Sequence, residues 1–141
     1  MAIGSVVLTP GSSYDVPAAL DLSTEAYPEA DWTARTALAI GASGATAPLL
    51  LVLTGPAAVF APHLGFAQRS ARRTVGGYVL VDPVLPKPGA VSDWPDAPVT
   101  VVITPTADED VRSAALGARL RGWDVLEGSP DELIRDIATR P

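Results

Sequence analysis

Cysteine is absent from the chain, and histidine occurs once, at His63. Without thiols there is no disulfide, no thiolate nucleophile and no cysteine-ligated metal. A lone imidazole also argues against a histidine-based metal site, so neither a metal nor a cofactor is expected. Lysine is nearly missing: Lys87 stands alone beside nine arginines, the bias of a GC-rich genome. Net charge is -6, and the one basic cluster, Arg69, Arg72 and Arg73, is too small to footprint a nucleic acid. Hydrophobic residues reach 48%, yet no run approaches the roughly 20 apolar residues of a membrane span. The first residues, MAIGSVVLTPGSS, lack the basic region that opens a signal peptide. These absences predict a cytoplasmic protein that engages neither nucleic acid nor membrane. Aromatics are scarce at 6%, and the many alanines predict helices packed through small contacts.

What is present organises itself around residues 49–66, LLLVLTGPAAVFAPHLGF. The unbroken apolar run over 49–53 reads as a strand buried on both faces. It stops at Thr54-Gly55-Pro56, and helix-spaced Phe60, Leu64, Ala67 and Ala71 follow. Proline at a first helical position, after a conformationally free glycine, predicts a helix over 56–72. Further strands are expected at 6–9, 78–81, 99–104 and 123–126. Helices are expected at 16–26, with Asp15 as cap, and at 29–42. Two more are expected after the capping boxes Thr106–Glu109 and Ser129–Glu132, with Gly122 ending the first of them. Residues 84–98 are rich in proline and read as an extended surface loop. Five strands alternating with helices predict one α/β domain over residues 1–141. Its sheet is five-stranded and mostly parallel, with helices on both faces. Ligands of such sheets bind outside the carboxyl ends of the strands.

From Pro48 onward the chain resembles the α/β-hydrolase family. LLLVLTGPAAVFAPHL stands where that family has its strand, nucleophile elbow and helix, and VGGYVLVDPVLPKPG resembles the next strand and its exit. DWPDAPVTVVITPTADED resembles the strand and loop that present the catalytic acid, and ARLRGWDVLEGSPDELIRDI the last helix-strand-helix. VVLTPGSS near the start is similar to the strand before the oxyanion loop. The resemblance implies a truncated α/β-hydrolase-like fold with a departure at its centre. The elbow positions read Thr54-Gly55-Pro56-Ala57-Ala58, with Gly55 or Pro56 where a serine nucleophile would stand. The histidine-bearing loop after the last strand is absent, and no strand is expected between the oxyanion loop and the elbow strand, since 16–47 read as helix throughout. Ser-His-Asp acyl transfer is therefore not expected.

The remaining candidates each have two readings. His63 lies two turns into the helix after Pro56 and reads as an ordinary helix histidine. Asp108 is either a charge at a helix start or, by the resemblance, a surviving catalytic acid. Asp82 is either a turn-forming Asp-Pro or a site carboxylate. Ser12, Ser13 and Tyr14 form either a turn or a set of donors facing Thr54 and the amides of Gly55–Ala58. Trp94 either plugs the rim or walls an apolar pocket. The expected function is non-hydrolytic binding of a small, mostly apolar molecule at the rim by Ser12, Ser13, Thr54, Gly55, Pro56, Phe60 and Trp94. Asp82, Asp108 and Tyr14 are the candidate acids and bases for a nucleophile-free cyclisation, isomerisation or dehydration. The rival expectation is a catalytically dead domain acting as a homodimer or as the partner of a pathway enzyme.

Overall fold

The computed structural model describes residues 2–89, 91 and 93–140; Ala90 and Ser92 of the proline-rich stretch lie outside them. Six strands form one sheet: β1 (Ser5–Leu8), β2 (Leu20–Asp21), β3 (Leu49–Thr54), β4 (Val75–Val81), β5 (Val99–Ile103) and β6 (Asp124–Glu127). Their order is β2-β1-β3-β4-β5-β6, and every pairing is parallel. The four α-helices are α1 (Trp32–Ser43), α2 (Ala61–Ser70), α3 (Glu109–Leu120) and α4 (Pro130–Ala138).

Apolar runs in β3, β4 and β5 alternate between two covered faces, as buried parallel strands require. Leu49, Leu51, Leu53, Tyr78, Leu80 and Val101 share one core with Trp32, Ile40, Leu64 and Ala118 of α1, α2 and α3. Leu50, Val52, Val79, Val81 and Val102 turn the other way and pack on Ile134 of α4. Tyr14, Val16 and Ala19 join that second core, so the link from β1 to β2 crosses the α4 face. Handedness accounts for this division. The chain steps one way along the sheet from β1 to β2, then reverses, and right-handed crossovers in opposite directions must use opposite faces.

One expectation about the sheet is corrected. The sheet has six strands and not five, because residues 16–26 form no helix. Ala18 adopts a left-handed φ of 62°, which a helix does not tolerate, and β2 follows at the sheet edge. A strand therefore does stand between the loop after β1 and β3. The described residues of 84–98 form neither helix nor strand, as expected of an extended surface loop. β4 and β5 are parallel neighbours, so this stretch is their crossover, running back along the sheet face where a helix would ordinarily lie. Trp94 anchors this strap edge-on between Tyr78, at 5.3 Å, and Trp123, at 5.6 Å.

Candidate functional site

The direction of chain travel reverses between β1 and β3, which opens a crevice beyond their carboxyl ends. The loop after β1 leaves toward the α4 face, and the turn after β3 leaves toward α1 and α2. The two lips of the crevice are therefore chemically different.

The first lip is polar. The β1–β3 ladder ends at Leu8 and Val52, and the carbonyl of Val52 takes over the donors just beyond it. It accepts from the Thr9 hydroxyl at 2.7 Å and the Ser12 hydroxyl at 3.2 Å. Ser12 Oγ lies 2.8 Å from Thr54 Oγ1, and the Tyr14 hydroxyl lies 2.9 Å from the same atom. The structure thus joins Ser12, Tyr14 and Thr54 across the gap. Ser13, the third expected donor, is exposed and takes no part in the network among the described residues. Burial pushes the Tyr14 phenol above its ordinary value; its bond to Thr54 opposes the shift, and the negative charges of Asp82 and Asp131 add to it. Tyr14 therefore remains a neutral hydrogen-bonding group at physiological pH. The Asp15 backbone N–H donates to Asp131 Oδ1 at 3.3 Å, tying this loop to the first turn of α4.

The second lip is apolar. Gly55 has φ 58°, a left-handed conformation that glycine adopts without penalty, and Pro56 opens a tight 3-10 turn over Gly55–Phe60. The regular helix begins only at Ala61, five residues later than the sequence pattern predicts. The longer turn brings the Phe60 ring onto Trp32, stacked at 4.9 Å and 19°. Together with these two rings, Pro56, Val84, Tyr27 and Glu29 bound an open cleft of about 380 Å³, within the volume range of small-molecule sites. The Val84 N–H donates to the carbonyl of Gly55 at 3.1 Å, so the start of the strap closes one side.

The other candidates are placed elsewhere or are already engaged. Asp82, at φ 42°, accepts from the Thr104 backbone N–H at 2.8 Å and from its hydroxyl at 2.6 Å. Its carboxylate thereby clamps the carboxyl ends of β4 and β5. Asp108 caps α3, accepting from the Val111 N–H at 2.9 Å. Thr106, expected as that cap, falls in the preceding turn. Trp94 does not lie at the rim: its partner Tyr78 sits opposite Val99, the first residue of β5. It walls a separate pocket of about 250 Å³ with Lys87, Arg121 and Trp123. His63 is exposed on α2. Sequence reasoning missed Tyr27, Glu29 and Trp32, because an aromatic at the start of an amphipathic helix reads as core.

No family model matches the chain, and neither the curated proteins nor the solved structures contain a match.

Proposed function

We propose that this chain is a non-hydrolytic α/β-hydrolase-like domain that holds a small, mostly apolar molecule in the cleft after β3. The observation that carries the reading is the cleft itself. It is apolar on most sides and bounded by Trp32, Pro56 and Phe60, and it lies beside the point where the sheet reverses direction. The residues 54–58 offer a free glycine and backbone amides, with no serine or cysteine among them. The strand found at Leu20–Asp21 supports the family likeness by filling the gap left between the loop after β1 and the elbow strand.

Binding is favoured over turnover by the state of the acid-base groups. Asp82 is engaged by Thr104 and Asp108 by its helix, and none of Asp82, Asp108 and Tyr14 lines the cleft. Titration with toluene, followed by NMR, tests the reading. Signals of Trp32 and Phe60 are expected to shift in the natural protein and to stay unmoved in Ala57→Trp, whose indole fills the cleft. No shift at these residues, or equal shifts in the variant, overturns it.

A second reading, self-association, rests on a different observation. Leu38, Phe66, Leu116 and Leu120 of α1, α2 and α3 are all exposed, Leu120 to 89%. These helices cover the same side of the sheet, and exposed apolar side chains of this size favour an interface there. Sedimentation velocity of the natural chain and of L116E/L120E distinguishes the cases. A dimer that dissociates in the variant supports the reading, and a monomer at high concentration overturns it.

A further inference from the structure

The chemical character of the cleft after β3 narrows the class of molecule it takes. Its lining includes three aromatic residues, Tyr27, Trp32 and Phe60, and one charged residue, the exposed Glu29. Among the described residues, no basic one lines it. Aromatic faces carry negative electrostatic potential and attract cations within about 6 Å of the ring centre. One of these rings already does so within the protein: the Arg35 guanidinium sits over Tyr27, 5.9 Å from its centroid. Arg35 does not discharge the cleft, because it pairs with Asp31 at 3.7 Å, whereas Glu29 has no ion pair among the described residues. Arg35 and Asp31 sum to no net charge, so Glu29 is the charged lining residue without an opposite partner among the described residues.

From this arrangement we infer that the cleft selects an organic cation, an amine or quaternary ammonium group carried on an apolar body. This rests on the proposed binding function and refines it. The apolar body lies against Pro56, Phe60 and Val84, where burial drives association. The ammonium is held by the faces of Phe60 and Tyr27 that Trp32 and Arg35 do not cover, and by the Glu29 carboxylate. An anion meets Glu29 with nothing to offset it, and a neutral molecule of the same shape forgoes both attractions.

Two probes of matched shape test the inference on the full chain: benzyltrimethylammonium and its neutral isostere, neopentylbenzene. Binding is read by NMR at Trp32, Tyr27 and Phe60. The cation is expected to bind about tenfold more tightly than the isostere, and Glu29→Gln is expected to remove most of that preference. Glu29 is exposed and begins a three-residue 3-10 turn, so this variant leaves the fold intact. Equal affinity of both probes at these residues overturns the cationic assignment and leaves the binding function standing. A cation preference unchanged in Glu29→Gln overturns the role of the carboxylate. Failure of both probes to shift these residues overturns the inference and the binding function together.

Discussion

Asp82 shows how a residue that looks poised for chemistry is spent on architecture. It ends β4 with a left-handed φ of 42° and holds Thr104 through both carboxylate oxygens. Asp82→Ala removes both acceptors and places an ordinary residue at a positive φ. It is expected to cost about 1–3 kcal/mol in urea unfolding, whereas Asp82→Asn, which keeps an acceptor and tolerates that backbone, costs less. Tyr78 offers a second test at this scale. Burial, together with its bond to Asp96 at 2.6 Å and the negative charge there, raises its phenol above the ordinary 10.0, and Tyr14 is raised too. Above about pH 10 the unfolded chain sheds phenolic protons that the folded chain retains, so stability falls as pH rises. Unfolding free energy is expected to drop between about pH 9 and pH 11, less steeply in Tyr78→Phe. A slope unchanged in that variant would show that Tyr78 is not the source. Asp82's position at a strand end is readable from its dipeptide with proline. Its partner Thr104 is not, because the two meet only once β4 and β5 are paired.

At the scale of the element, helix propensity and packing disagree in an instructive way. Gly65 and Gly117 both sit inside helices, where alanine is ordinarily better by roughly 0.5–1 kcal/mol. A Cβ at Gly117 meets only Leu85 Cδ1, at an ordinary 3.5 Å. At Gly65 it would fall on the Tyr78 hydroxyl, displacing the contact that seats the strap. Thermal unfolding is therefore expected to show Gly117→Ala more stable than the natural chain and Gly65→Ala less stable. Strands β3, β4 and β5 are legible because each is an unbroken apolar run, and that pattern survives any detail of packing. Residues 16–26 are not. Asp15, Pro17 and the alanines imitate a capped helix, while the ladder that defines β2 spans two residues and depends on β1 lying alongside. The start of α2 is displaced for a similar reason. Proline suits the first turn of a 3-10 helix as well as that of an α-helix, and the stacking of Phe60 on Trp32 accompanies the tighter one.

For the molecule as a whole, stability is distributed from the centre of the sheet outward. The residues of β3 are buried on both faces up to Thr54, and those of β4 nearly so. β2 and β6 are edge strands with partly exposed side chains. Hydrogen exchange is expected to follow this gradient: amides of Leu51–Leu53 and Val79–Val81 exchange only on global unfolding, and those of β2 and β6 open locally. Equal protection at edge and centre would contradict it. The sequence conveys the α/β class and the central strand, and it brings Ser12, Tyr14 and Thr54 into consideration together. It does not convey the cleft, because Tyr27, Glu29 and Trp32 reach Pro56 and Phe60 only through the return of α1 across the sheet.

The strap between β4 and β5 has a practical consequence. It carries the only lysine of the chain, Lys87, which lines one pocket with the indoles of Trp94 and Trp123. A fluorophore quenched by tryptophan and coupled to that side-chain amine would stay dark while the crossover is seated and brighten as it peels away. The protein thus carries a ready attachment point for watching a single segment detach in real time.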